Sequence, residues 1–261
     1  MSETVPFTTQ DLSRRACVKE PGHERRSRKG SGIWMCELAT LTPLCIQSYF
    51  SKLGDGDPAV LPATSLRGMV RNVAEILGAG CARFHPDGGR LGPRLAPCSE
   101  RDACLTCRVF GFVEGDYAWA GKVRFTDTRP QKVQWERFAV PSTQREPQHD
   151  AAQGGWVLFP HMPMPRFSSG PTRCVKSGHK FGFRVEYLNL DEEEYAVIKF
   201  ALTLEYGGVK FCHKLGYAKA LGLGACTISI PSDKSEPVGA AFERYVSMPG
   251  YAALQKFRSY R

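Results

Sequence analysis

The most specific chemical constellation in the chain is Cys98-x5-Cys104-x2-Cys107, preceded in the same stretch by Cys81 and His85. Tetrahedral zinc wants four soft or borderline ligands, and a two-residue gap lets both thiolates of one turn face the same ion. His85 is the expected fourth ligand, with Cys81 as its substitute. The alternative is a loop of reduced, unliganded thiols. Against it stand Pro93, Pro97 and the scarcity of apolar side chains between Gly78 and Phe110, which leave little besides a metal to hold that loop together. With all four positions filled by protein, such a zinc folds the loop and catalyses nothing.

Two further stretches suit phosphate. Leu61-Pro62-Ala63-Thr64-Ser65-Leu66-Arg67-Gly68-Met69-Val70-Arg71 combines a helix start, the Ser65 hydroxyl, and Arg67 and Arg71 one turn apart, so successive phosphates would lie along one face. The plainer account is a capped amphipathic helix with a solvated arginine face. In Lys214-Leu215-Gly216-Tyr217-Ala218-Lys219-Ala220-Leu221-Gly222-Leu223-Gly224, glycines let backbone approach a phosphate while Lys214 and Lys219 bring charge. This run precedes a strand instead of opening a helix, so it is not a dinucleotide fingerprint, and a strand-entry turn is its plain alternative.

Other groupings are decoys. Lys180-Phe181-Gly182-Phe183-Arg184-Val185-Glu186-Tyr187 approximates an RNA-recognition consensus, but its alternation puts Phe181, Phe183, Val185 and Tyr187 on one face, as core. His213 beside Cys212, and His161 beside Phe159 and Pro160, lack a carboxylate partner in sequence and read as structural histidines.

The elements that must position these residues follow from periodicity. An apolar run over Ile33–Ile46 predicts a buried strand, and the turn Gly54-Asp55-Gly56-Asp57-Pro58 leads to a helix over Leu66–Leu77 capped by Ser65. Its positions Leu66, Met69, Val70, Val73, Ile76 and Leu77 recur at three-and-four spacing, with Arg67, Arg71 and Glu75 on another face. Strands follow at 121–128 and Lys180–Tyr187, then a helix after Asp191-Glu192-Glu193-Glu194, a strand over Cys226–Ile230 and a short basic helix within Tyr245–Arg261. The order strand, helix, strand, strand, helix, strand is that of an α+β, ferredoxin-like fold, a common platform for single-stranded RNA. Two insertions interrupt it: the cysteine-rich stretch 78–110 and a polar, Pro-rich stretch 129–180, too long for an idle connection. Residues 1–32 form a basic arm, with Arg25, Arg26, Arg28 and Lys29, that either touches phosphate or stays solvated.

Composition sets the frame. The 261 residues carry a formal charge of +9, which tilts the partners toward polyanions, and 42% hydrophobic with 23% charged residues excludes disordered, collagen-like and membrane classes. Met1–Arg15 holds no secretory apolar run, so a cytoplasmic, reducing location is expected. The ten cysteines are then read as core thiols or metal ligands instead of disulfides.

Together, the block Leu61–Gly68, the block Cys104-Leu105-Thr106-Cys107-Arg108-Val109-Phe110-Gly111 with Gly121-Lys122-Val123-Arg124-Phe125-Thr126-Asp127, and the Gly-rich loop resemble the RAMP superfamily of CRISPR-associated proteins over about residues 33–231. The likeness is to the backbone subunit that polymerises along crRNA in type III and related RNA-targeting effector complexes. The cysteine-rich insertion looks most like those of types III-D, III-E and VII. The resemblance implies that Ser65, Arg67, Arg71, Lys214, Gly216 and Lys219 hold the guide, that 129–180 is a thumb crossing the guide–target duplex, and that apolar residues near Phe159, with Met162, Met164 and Phe167, form its wedge. It also implies partners: crRNA, target RNA, further copies of the chain, a guide-handle-binding subunit and a large or nuclease subunit. Active members carry an aspartate between the first strand and first helix, where Asp55 and Asp57 stand here. The alternative function is therefore a metal-dependent endoribonuclease in which Asp55 or Asp57, with Mg2+, cuts target RNA. Asp between glycines and before proline is also ordinary turn chemistry.

Overall fold

A computed structural model describes residues 8–11, 19–20, 30–81, 98–99, 103–140, 155–164, 166–233 and 239–258. The chain is mixed α+β, built on an antiparallel sheet whose central strand β1 (Gly30–Thr40) pairs with β3 (Lys180–Leu190) on one side and β4 (Ala225–Ser229) on the other. Strand β2 (Val123–Phe125) extends the sheet beyond β3, and the two-residue strand His213–Lys214 extends it beyond β4. In chain order the four main strands lie 4-1-3-2.

Alternation along β1 and β3 explains which face is covered. Trp34, Cys36, Leu38, Phe181, Phe183 and Val185 point into the core, where the helices α1 (Ala63–Ala74) and α3 (Glu192–Thr203) pack. The opposite face carries exposed Ile33, Met35 and Arg184. A further helix α4 (Pro249–Arg258) lies against the end of α1, where Gly250 passes so close to the Ile76 carbonyl that a Cβ would collide with it.

Boundaries moved for physical reasons. β1 stops at Thr40, short of Ile46, because Pro43 cannot donate to a ladder, and Leu44 bridges to Val175 instead. The helix begins at Ala63, and Ser65 does not cap it: Pro62 holds the N-cap with no side-chain bond, and the Asp127 carboxylate accepts the Ala63 N–H at 2.7 Å. The second strand is accordingly shorter than 121–128, since Asp127 and Thr128 leave the sheet to bind this helix start. After Ala74 the helix widens into a π turn, Glu75–Ala79.

The cysteine-rich stretch has a small apolar cluster of its own, whereas the long stretch packs on residues outside it, among them Cys45, Ala218 and Leu223. In the cysteine-rich stretch, a six-residue helix α2 (Leu105–Phe110) follows the strand Ala103–Cys104. In the long stretch, Trp135–Phe138 pairs antiparallel with Thr172–Val175. Two pieces of the N-terminal arm add strands to these insertions: Thr8–Asp11 pairs with Gly155–Leu158, and Lys19–Glu20 with Ala103–Cys104. Arg25, Arg26, Arg28 and Lys29 lie outside the described residues.

One expectation is corrected outright. Cys45 and Cys174 form a disulfide across 129 residues of sequence, so the cysteines are not all thiols or metal ligands. The Leu44–Val175 bridge lays the two backbones side by side, which no local spacing could have announced. Cys36, Cys212 and Cys226 are buried and take no part in a disulfide. Among the described residues, no helix is long and apolar enough to cross a membrane.

Candidate metal centre and nucleic-acid interface

The sulfurs of Cys81, Cys98, Cys104 and Cys107 lie within 4.8 Å of one another, and all four residues are buried. Cys81, the substitute ligand, thus takes a place in the cluster, while His85 lies outside the described residues. Tetrahedral zinc–sulfur bonds of about 2.3 Å put sulfurs about 3.8 Å apart, so the set fits such an ion, and Cys81 and Cys107 are 3.6 Å apart. Contact with the Cys104 sulfur pushes the Cys81 and Cys107 thiols well above the ordinary cysteine range. A divalent cation would offset that cost by binding the thiolates.

Local structure builds the cluster. Cys104 is the N-cap of α2, its sulfur accepting the Cys107 N–H at 3.4 Å, and the Cys98 sulfur accepts the Cys104 N–H at 3.1 Å. Cys81 arrives just beyond the π turn; Gly80 has no room for a side chain because Glu75 and Thr106 press on it. Ala103, Phe112 and half-buried Trp119 complete a small apolar cluster separate from the main core.

The expected RNA residues divide. Arg67 donates to the Phe110 carbonyl, and Arg71 donates to Glu75 at 2.7 Å and to the Gly111 carbonyl at 3.3 Å; both guanidinium groups lie over the Phe110 ring. These arginines clamp α2 onto α1 instead of forming a solvated stripe. Lys214 is 4% exposed and donates to the Leu223 carbonyl at 3.2 Å, closing its own loop. Gly216, at φ +87°, is required because a Cβ would strike the Cys45 carbonyl oxygen. Lys219 lies over the Phe159 ring, at 5.4 Å. Ser65 is half-buried in the first turn.

Register gives these pieces a common place. Thr128 bonds Leu61 at the α1 start, Leu41 donates to Ala225, and Arg129 donates to the Gly182 carbonyl. The α1 start, the Leu41–Ile46 loop and the Gly-rich loop therefore all lie at the Thr40 end of the sheet, reaching from one edge strand to the other. Beside the α1 start opens a groove of 310 Å³, lined in part by Met35, Thr126, Asp127, Arg129 and Arg184. Arg184 is legible in the sequence as an outward-facing residue of β3, whereas Arg129 lies beyond the end of β2 and has no such signal.

Asp55 and Asp57 have definite partners. Asp55 accepts from Arg173 at 2.7 Å and from Arg137 at 3.2 Å. Arg173, its side chain 4% exposed and stacked 4.2 Å from the Trp135 ring centroid, also donates to the Leu53 and Gly54 carbonyls. Asp57 accepts the Gly54 N–H at 2.6 Å and its own N–H donates to the Gly54 carbonyl at 3.2 Å, so the side chain closes a tight turn. Of the expected wedge residues, Met162 and Met164 are exposed, whereas Phe167 packs with Phe138 beside the disulfide. The backbone of Met162–Met164 passes directly over Gly222. His213 bonds the Leu202 carbonyl and His161 the Cys212 carbonyl, consistent with structural histidines.

Among solved structures, the chain is similar to Csc2 of Thermofilum pendens (14% identity, 84% of this chain and 71% of that one, TM-score 0.44). It is also similar to a chain of a type IV-B CRISPR complex (12% identity, 83% of this chain and 99% of that one, TM-score 0.46). No curated protein matches it significantly. The family model of the RAMP superfamily matches residues 37–227, which take in most of the sheet, both helices beneath it and the stretches 78–110 and 129–180, so this chain belongs to the RAMP superfamily.

Proposed function

We propose that the chain is a crRNA-binding backbone subunit of a cytoplasmic, prokaryotic CRISPR effector complex, assembling in several copies along the guide and presenting it for pairing with target RNA. The observation that carries this reading is the single edge-to-edge rim formed by the α1 start, the Leu41–Ile46 loop and the Gly-rich loop, in a chain of charge +9. A rim of backbone and cations suits a sugar–phosphate strand read without regard to sequence. The 4-1-3-2 strand order with two helices on one face supports a ferredoxin-like palm, and the paired strands Trp135–Phe138 and Thr172–Val175 support a thumb over 129–180. The four buried sulfurs support structural zinc in the 78–110 insertion. Further subunits, one on the guide handle and a large or nuclease subunit, complete the complex in this reading.

Cutting by this chain is the weaker reading, because the Asp55 carboxylate is held by Arg173 and Arg137 and that of Asp57 by its own turn. Among the described residues the four cysteines are the one grouping of three or more metal-ligating side chains, so Mg2+ at these aspartates draws no support.

The test is guide binding by the purified full-length chain across a salt series. Binding should be independent of guide sequence and weaken steeply with salt, and Lys219→Glu should lower both the affinity and the salt slope, the latter by about 1. A chain that binds no RNA at low salt overturns the proposal. Complementary RNA added to the assembled complex, with Asp55→Ala in parallel, addresses cutting: regular cleavage abolished by that change would restore the nuclease reading.

A further inference from the structure

Three sulfurs of the cysteine cluster each have an N–H donor aimed at them. Two donors are local backbone amides, Cys104 N–H to Cys98 and Cys107 N–H to Cys104. The third comes from another element: Arg71 Nη2, on α1, reaches the Cys107 sulfur at 3.9 Å. The rest of the guanidinium is held by Glu75 and the Gly111 carbonyl, so the side chain, 14% exposed, has a fixed position. A divalent ion with four thiolates carries a net formal charge of about −2, and burying such a charge is costly without opposing dipoles or cations.

We propose that Arg71 is the outer-shell cation of the four-cysteine metal centre, orienting Cys107 and offsetting the charge of the metal–thiolate set, and that it is thereby withdrawn from the guide. This rests on the reading of the cluster as a metal site, and it reverses the role that resemblance gave Arg71. The amides of Cys104 and Cys107 belong to the turn that the metal itself fixes. Arg71 instead ties the centre to the main helix through a side chain, and its planar fork aims three separate nitrogens at three separate partners, a fixed geometry that the single ammonium nitrogen of a lysine does not reproduce.

The experiment loads the metal-free, full-length chain with Co2+, follows the thiolate-to-cobalt charge-transfer absorption in competition with a chelator, and measures guide RNA affinity separately at saturating metal. Arg71→Ala should weaken metal binding about 10- to 100-fold, the usual effect of removing an outer-shell partner, while leaving RNA affinity within about twofold. Lys219→Glu should do the opposite. Arg71→Lys keeps the charge and most of the volume, which guards against misfolding. It should shift the charge-transfer band to lower energy, because the Cys107 sulfur loses a fixed donor. Metal affinity and band position unchanged in both Arg71 variants would overturn the inference, as would an RNA defect in Arg71→Ala matching that of Lys219→Glu. A wild-type chain that takes up neither Co2+ nor Zn2+ overturns the metal reading and this inference with it; normal wild-type uptake with unaltered variants overturns the inference alone.

Discussion

Arg173 has a buried guanidinium lying on Trp135, with two backbone carbonyls and the exposed Asp55 as its partners. Removing the cation strands those carbonyls and uncovers the indole, so Arg173→Ala should cost about 2–4 kcal/mol in denaturant unfolding. Asp55 faces water, which screens its share, so Asp55→Asn should cost under about 1 kcal/mol. If that order were reversed, Asp55 would not be the subordinate partner described above. The cysteine cluster makes its own prediction about pH. Thiols pushed up by their neighbours bind protons in competition with metal, so apparent metal affinity should fall as pH falls, with protons released on binding. A metal titration at two pH values, with proton release followed by indicator dye, checks the sign. Cys36 adds a second pH effect: burial pushes its thiol up to about 12, so the stability that depends on keeping it protonated is present below about 9 and is lost as pH rises through about 12. Cys36→Ala should flatten the alkaline arm of a stability–pH profile.

The motif blocks acquire physical reasons at the scale of elements. Arg108 and Lys122, from two separate blocks, both bind Glu194, which is fully buried at the start of α3 and also closes a capping box with Asp191. Glu194→Ala leaves two cations without their carboxylate and opens the cap; the expected cost is about 3–5 kcal/mol, read from the denaturant midpoint. Asp127→Ala uncaps α1 and should cost about 1 kcal/mol, with Asp127→Asn milder because an oxygen acceptor remains. The capping box was legible as Asp-Glu-Glu-Glu before an apolar run. The cap on α1 was not, since its donor and acceptor are 64 residues apart.

For the whole molecule, the main core and the cysteine cluster are separate apolar bodies joined through α2 and the α1 arginines. Metal removal should therefore first loosen the insertion, with the far-ultraviolet signal of the sheet and of α1 and α3 largely retained. Limited proteolysis near residues 98–111 before and after chelation measures this, and global unfolding on chelation would contradict it. The disulfide joins the Leu41–Ile46 loop to the base of the Trp135–Phe138 and Thr172–Val175 pair, beside Gly216. It thus fastens the second insertion to the rim proposed to carry the guide.

By itself the sequence determined the strand–helix alternation, the inward faces of β3 and α1, and three cysteines of the cluster, because periodicity and short spacings are local consequences of backbone geometry. Tertiary structure alone decided that Cys45 meets Cys174, that Asp127 replaces Ser65 at the helix start, that Arg173 claims Asp55, and that Arg71 turns toward Cys107. Each of these pairs is at least 36 residues apart in the chain. A side chain's charge is written in its type, but whether it faces solvent, a phosphate or a buried sulfur depends on which distant backbone the fold brings beside it.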